Sequence, residues 1–477
     1  MIALTEMILV GLIIKGVLKQ MISGFMNHNN KKCLFKLKDF TLEIEEIENR
    51  DKLFEEDFKE LFDINPKKDE TNVLRGKDFN GKEIIFHVSN VRKRALKSYG
   101  CKVFWYIIFN KDESPFDALQ INAEELNWFY NVRNAYDYNY NQKTGQTTVD
   151  IKPFESLEKK FSFTFNSTTV NGNLNITRNI KDMDTSPIHL FTSLNLEFEE
   201  TDDYEKLYHL ISILNDFLAF ISYRRNISVD SIYLKKRADE TGLYGKIGQV
   251  FINKDGIFEE SKKIIRNRII QFPLIEENIG NLFNMLVQNK IYLTHIPENS
   301  IDRRRITASR FIMITAGFEW QFKLSFKDES KNSEDKYRVQ KEELLTFLDE
   351  KVEINTGKQK KFFKNYKKFV LNSDMTLEEK INWAFNKFDN VLELFIKSLY
   401  SINNLEIPTY EDMAERIAKQ RNNYAHGNID KELNSLVILD LLALEWLNYT
   451  MVLNDLGIPG DNIKHVINDL FNRNIAL

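Results

Sequence analysis

The chain has 477 residues, 43% hydrophobic and 29% charged, with a net charge of -4. These are values of a folded soluble protein with room for roughly two to four domains. They exclude a global basic field, so any nucleic-acid site must be a local patch. The 36 Phe against 8 Pro favour regular structure over disordered linkers. The two cysteines, Cys33 and Cys101, form no CxxC pair and no disulfide framework. They read as small buried hydrophobes in a reducing compartment, which leads to the expectation of a cytoplasmic protein.

Residues 7–14 (MILVGLII) form a short apolar run, and Lys15 and Lys19 interrupt its extension toward Phe25. A membrane span needs about 20 mostly apolar residues. A secretory leader wants a basic start, and the only early charge here is Glu6. Residues 1–30 are therefore expected to be an apolar extension holding a short helix, packed on the protein or lying at a surface. The alternatives are a natural start at Met21 or Met26, or a membrane anchor; no stable membrane partner is expected.

Residues 31–300 read as a β-rich domain with helices. Residues 102–109 (KVFWYIIF) are aromatic and β-branched, as in a buried strand. Glu83–Val88 follows Asn80-Gly81, a strong hairpin pair. Residues 161–165, 173–177 and 189–198 add strands, with a turn expected at Asn171-Gly172. Short strands at this spacing predict an antiparallel sandwich or barrel-like unit. Thr201 or Asp202 is expected to cap a helix whose stripe is Leu207, Leu210, Ile211, Leu214, Phe217, Leu218 and Ile221. A strand is expected within 226–233, and two helices within 257–290, split near Pro273.

The polar stretch 297–302 marks a boundary, and residues 301–477 read as helical throughout. The first helix carries Phe311, Ile314, Thr315, Phe318 and Phe322 on one side. The next has a capping box at Thr376–Glu379 and the stripe Ile381, Phe385, Phe388, Leu392, Phe395 and Leu399. A later one repeats the pattern with Leu436, Leu439, Ala443, Trp446, Thr450 and Leu453. Such helices joined by short connections make an antiparallel bundle. The fold class is thus α+β, a β-rich N-terminal domain followed by an all-α bundle.

The sharpest local feature is Glu415-Arg-Ile-Ala-Lys-Gln-Arg-Asn-Asn-Tyr-Ala-His-Gly427. Positions five apart lie roughly 140° apart around a helix, so Arg421 and His426 do not share a face strictly, whereas Asn422 and His426 do. The two reactive groups converge if the helix ends near His426, which Gly427 permits, or if a symmetric second copy contributes. A neutral imidazole can take the proton from a ribose 2′-OH, whose oxygen then attacks the adjacent phosphate. A guanidinium can hold that phosphate and stabilise the transition-state charge. Asn422 could orient either group. The structural alternative is that Arg421 pairs with a nearby acid and His426 caps a helix end.

Arg421-Asn-Asn-Tyr-Ala-His426 matches the HEPN signature of Arg, four to six residues, then His, with Asn after the Arg. Arg310-Phe-Ile-Met-Ile-Thr-Ala-Gly-Phe-Glu-Trp320 resembles the opening helix of the HEPN domain of ApeA-like antiphage defence proteins, and residues 444–458 resemble its closing segment. The strand and helix up to Arg225 are similar, more loosely, to the N-terminal domain of that family. The resemblance implies Arg421 and His426 as the catalytic pair, with Asn422 beside them and Glu319 in a positioning or dimer-contact role. It implies a bacterial abortive-infection effector: a homodimeric, metal-independent endoribonuclease acting on an RNA substrate, with a phage-derived trigger at the N-terminal domain. The expected products carry a 2′,3′-cyclic phosphate and a 5′-hydroxyl. A second reading is a non-catalytic dimerisation or nucleotide-binding module in a defence or toxin-antitoxin system. A third makes Tyr424 an acceptor of AMP. Lys360, Lys361, Lys364, Lys367 and Lys368, together with Lys358, form a basic stretch interleaved with Phe362, Tyr366 and Phe369. It reads as a phosphate-tracking face or as a solvated face with its aromatics in the core. Residues 76–82 nearly spell a phosphate-binding loop, but Glu83 and a strand follow, so the hairpin reading prevails. No HExxH occurs; no cofactor and no metal site are expected.

Overall fold

Alternation of buried and exposed side chains, the mark of a strand with one face in a core, begins at Ile22. The computed structural model describes residues 21–47, 72–95, 97–180, 188–239, 241–254, 260–327, 338–371, 375–428 and 433–477. The first strands are β1 (Ile22–His28), β2 (Lys31–Lys38), β3 (Thr41–Glu46), β4 (Val73–Asp78), β5 (Glu83–Val88), β6 (Arg92–Ala95) and β7 (Ser98–Phe109). Six of them pair antiparallel in the order β7-β3-β2-β1-β4-β5, and β5 returns to β7, closing a six-stranded barrel, while β6 pairs with β7 off this path. Closure removes the free edges that would otherwise invite another chain. Strand β7 allows it by length: residues 98–102 pair with β3, and residues 103–108 with β5. Cys33, Phe35, Leu42, Ile44, Phe86 and Val103 fill the interior. Cys33 and Cys101 are buried thiols, and burial pushes Cys101 up to about 11.

Strand β1 corrects the expectation of a helical extension through residue 30. Ile22, Gly24, Met26 and His28 are buried and alternate with the more exposed Ser23, Phe25 and Asn27, and the strand pairs with β2 and β4. A Cβ on Gly24 would lie 2.0 Å from the Lys77 carbonyl oxygen, so the approach of β4 requires glycine. The apolar run at 7–14 lies outside the described residues.

The sheet continues from β7 through β8 (Phe116–Ala123), β11 (Glu158–Phe165), β12 (Thr168–Ile180), β13 (Ile188–Thr201), β14 (Val229–Arg237) and β15 (Tyr244–Ile252), in the spatial order β15-β14-β8-β13-β12-β11. Strands β9 (Tyr136–Asn141) and β10 (Gln146–Ile151) form a separate hairpin. The expected turn at Asn171-Gly172 is a correction: both sit inside β12, and the turn falls at Asn166 and Ser167, with φ of 48° and 64°. Gly172 instead makes room for the Phe161 ring, whose Cζ would be 2.1 Å from a Cβ. Helix α1 (Glu124–Phe129) follows β8. Helix α2 (Tyr204–Ser222) packs with its predicted stripe buried, capped by Asp203 rather than Thr201 or Asp202. Short helices α3 (Lys262–Arg266) and α4 (Ile279–Val287) flank Pro273, as expected.

The remaining helices are α5 (Ala308–Ser325), α6 (Arg338–Ile354), α7 (Gly357–Leu371), α8 (Leu377–Lys387), α9 (Asp389–Ile402), α10 (Tyr410–Ala425), α11 (Ser435–Asp455) and α12 (Gly460–Leu470). The single stripe read over 381–399 is two helices, broken at Phe388, yet all its members are buried. Helix α11 is buried around most of its circumference rather than along one stripe, and Leu436 and Leu439 are only half-buried. It is long and apolar enough to cross a membrane, but 78% of its apolar window is covered by the fold, as for a central bundle helix. One apolar cluster runs across residue 300, joining α2 to α11 through the stacked rings of Phe220 and Tyr449. The Tyr449 hydroxyl donates to the Phe220 carbonyl at 2.9 Å. The architecture is α+β, a barrel-bearing β-rich region followed by a helical one.

Candidate active site

The signature stretch is the last three turns of α10. A capping box of Thr409 and Asp412 starts this helix. Met413, Ala414, Ile417, Ala418, Gln420 and Tyr424 turn into the bundle. His426 is the C-cap, with φ of -90° and ψ of 8°, and Gly427 reverses the chain at φ of +80°. The Gly427 amide donates to the Tyr424 carbonyl at 3.1 Å, closing the end of the helix. Asn422 and His426 are exposed on one side, joined by the His426 amide and the Asn422 carbonyl at 3.0 Å. Among the described residues, no side chain bonds the imidazole of His426.

Arg421 lies on the flank of α10 that meets α5. Its Nη2 is 3.5 Å from Glu319 Oε2, with the two side chains 38% and 32% exposed. Its Nη1 reaches the side-chain oxygen of Asn422 at 3.5 Å. Both contacts are at the outer limit of useful geometry, and an exposed pair of this kind is worth about 0–1 kcal/mol. The structure thus brings Arg421, Asn422 and Glu319 together. It sets His426 at the same end of the helix, about 7.5 Å further along the axis at 1.5 Å per residue. Tyr424, the acceptor in the third reading, is 7% exposed and packs edge-on against Phe311, centroids 5.6 Å apart.

Sequence reading missed two buried ion networks built on acids of α11, one of which engages this helix. Arg416, also on α10, donates Nε to Asp440 Oδ2 at 2.7 Å and Nη2 to Oδ1 at 2.9 Å. The Tyr400 hydroxyl donates to the same carboxylate. These bonds raise the pKa of Arg416, and burial together with the neighbouring carboxylate raises that of Tyr400. On the other side of α11, Arg310 donates to Glu445 at 2.7 Å, and Tyr223 donates to the same oxygen. The available signal was Asp440 and Glu445 themselves, two acids inside the apolar α11 that could be buried only with partners.

Gly317, which the sequence placed oddly within a helix, is explained by packing. A Cβ there would come 2.7 Å from the Tyr292 ring and 3.5 Å from His295 Nδ1.

The basic stretch is α7, packed against α6 as a helical hairpin. Lys367 is not a free phosphate contact: it pairs with Asp349 of α6, and Lys360 is half-buried. Lys358, Lys361, Lys364 and Lys368 are exposed. Phe362 and Tyr366, which the solvated-face reading placed in the core, are 54% and 52% exposed.

In the β-rich region a polar cleft of about 550 Å³ opens between β8, β13, β14 and α3, floored by the buried pair Arg224 and Glu125. Among the described residues, Glu125 Oε2 and Arg224 Nε have no hydrogen-bond partner. Among the described residues no group of three or more His, Cys, Asp or Glu side chains could hold a metal ion. No family model, no curated protein and no solved structure matches the chain.

Proposed function

We propose that the protein is a HEPN-type, metal-independent endoribonuclease acting in bacterial antiphage abortive infection, with His426 as base and Arg421 as the phosphate-holding cation. The observation that carries this reading is the open end of α10. There an exposed imidazole and a loosely held guanidinium share the last turns of one helix, while the neighbouring Arg416 is fully engaged by a buried acid. The imidazole removes the 2′-OH proton, the 2′-oxygen attacks phosphorus as the P–O5′ bond breaks, and the departing 5′-oxygen takes a proton from solvent, to which the imidazolium returns its own. The products are a 2′,3′-cyclic phosphate and a 5′-hydroxyl. Arg421 neutralises charge on the non-bridging oxygens throughout, and Asn422 lies within reach of both partners. Such acid-base help is typically worth ~10²–10⁴-fold.

The helix end at His426 leaves convergence within one copy open, and a homodimer offers a second route. The outer stripe of α5 supports it: Ile312, Met313 and Leu324 are exposed, with half-buried Ala316 and Trp320 between them and Glu319 on the same stripe. A second copy laid on that stripe covers the apolar surface beside Arg421. The polar cleft over Arg224 and Glu125 is the candidate seat of the phage-derived trigger. We place the protein in the bacterial cytoplasm.

The test is incubation of RNA with the full chain in EDTA, followed by end-group analysis. Cleavage to cyclic-phosphate ends that survives EDTA and is lost in His426→Ala supports the enzyme. Equal cleavage by both proteins removes it. A second reading has one observation in its favour, the Arg421–Glu319 contact with His426 at the cap. It makes the region a non-catalytic dimerisation or nucleotide-binding module, and no cleavage in either protein would support it.

A further inference from the structure

The α6–α7 hairpin carries surface chemistry that the nuclease site does not use. Helix α7 (GKQKKFFKNYKKFVL) contains six lysines and no acid. Lys360 and Lys364, and Lys364 and Lys368, are like charges four residues apart, an arrangement that weakens a helix until an anion relieves it. The inner side, with Phe363, Lys367 and Val370, is the less exposed one, and Lys367 ties it to Asp349. On the outer side Lys358, Phe362 and Tyr366 follow one another at single-turn spacing, with Lys361 and Asn365 alongside and Lys364 and Lys368 on the flank. Both rings are more than half exposed. Their centroids are 4.6 Å apart at an interplanar angle of 43°, too close for a base between them, so each offers its outer face.

We propose that this face of α7 is a binding arm for single-stranded RNA, with bases stacked on Phe362 and Tyr366 and phosphates tracked by Lys358, Lys361, Lys364 and Lys368. A polyanion answers the one-signed charge, and exposed base faces answer the exposed rings. A duplex hides its base faces and meets only the lysines. The arm deepens the ribonuclease reading by naming its substrate class, yet the binding it asserts does not depend on cleavage.

The test uses the full chain and a fluorescent 2′-O-methyl RNA 15-mer, whose capped 2′-oxygens cannot attack phosphorus. Binding is therefore read apart from any nuclease activity. The native protein should bind the single strand at least tenfold tighter than the matching duplex. Neutralising about four phosphates should cost about 50-fold in affinity between 50 and 200 mM salt, from a single-strand slope of about -0.7 per contact. Phe362→Ala with Tyr366→Ala should weaken binding by tenfold or more, since each stacked base contributes about that much. The melting temperature should stay unchanged, because both rings are exposed. Lys361→Gln with Lys364→Gln should roughly halve the salt slope. Equal affinity for duplex and single strand, or equal affinity of native and ring-less proteins, overturns the proposal. So does sedimentation with phosphatidylserine vesicles, lost in the same variants, when the oligonucleotide does not bind. If His426→Ala abolishes cleavage but oligonucleotide binding is absent, the arm fails while the nuclease stands.

Discussion

Arginine and histidine each occur in two opposite settings. Arg416 makes two short bonds to Asp440, an acid with no exposure, whereas Arg421, five residues later on the same helix, has only 3.5 Å contacts to Glu319 and Asn422. His295 is wholly buried and stacked at 5.8 Å on Tyr292, and burial holds its imidazole down to about 3. His426 sits exposed at a helix cap. The difference separates groups whose charge or shape the core consumes from groups left available to a ligand. Residue type alone, or even position on one helix, does not make that distinction.

The sharpest way to break the comparison is to truncate both arginines. Arg421→Ala should lower RNA cleavage by about 10²–10³-fold, the usual cost of losing one preorganised transition-state donor. It should change stability by less than about 0.5 kcal/mol, as surface substitutions do. Arg416→Met leaves Asp440 buried without its cation and should destabilise by about 3–5 kcal/mol. Chemical denaturation and single-turnover cleavage, measured on both variants, check the pair. An Arg421 variant that unfolds as readily as the Arg416 one would place both arginines in the scaffold.

The histidines give the next effect. An unfolded-chain imidazole titrates near 6.5, while His295 in the fold stays neutral down to about 3. Its folded-state value is the depressed one. The stabilisation is therefore complete above pH 6.5 and is lost as pH falls toward 3, because the unfolded chain takes up a proton that the folded chain refuses. From pH 7 to pH 5 the loss is about 2 kcal/mol, from about 1.5 units at 1.36 kcal/mol each. Thermal melts of native protein and His295→Leu at the two pH values should differ by that increment. Identical pH slopes would show that the site takes up a proton in the folded state.

Much of this was legible in the residues, and the failures have physical causes. Alternation and β-branched, aromatic runs showed some of the strands, and helical spacing showed the stripes of α2 and α5 while merging α8 and α9 into one. Barrel closure was not legible, because the pairing of β5 with β7 is a property of two strands and not of either. Gly172 read as a turn because a glycine demanded by the Phe161 ring looks the same in sequence as one demanded by a left-handed backbone. Arg421, Asn422 and His426 stood out through spacing and through Gly427. Arg416 did not, since its partner lies 24 residues away on another helix. One of the two readings of the basic stretch put Phe362 and Tyr366 in the core by their period, which identifies a face without saying which way it points.

The smallest effect tests whether Glu319 holds Arg421 or merely lies near it. The contact is long and half-exposed, so Glu319→Gln should leave the melting temperature unchanged. If the carboxylate steadies the guanidinium, its loss should reduce cleavage by about fivefold at most, the equivalent of the ~1 kcal/mol upper limit for an exposed pair. The reduction should appear in kcat, because a phosphate still binds an arginine that is free to wander but is held less well at the transition state. Arg421→Lys separates this from a bulk charge effect. It keeps the cation but loses the planar fork, and it should stay far below native activity whether position 319 is Glu or Gln. A Glu319→Gln loss as large as that of Arg421→Ala would instead make the acid an equal member of the site, with the pair acting as one unit.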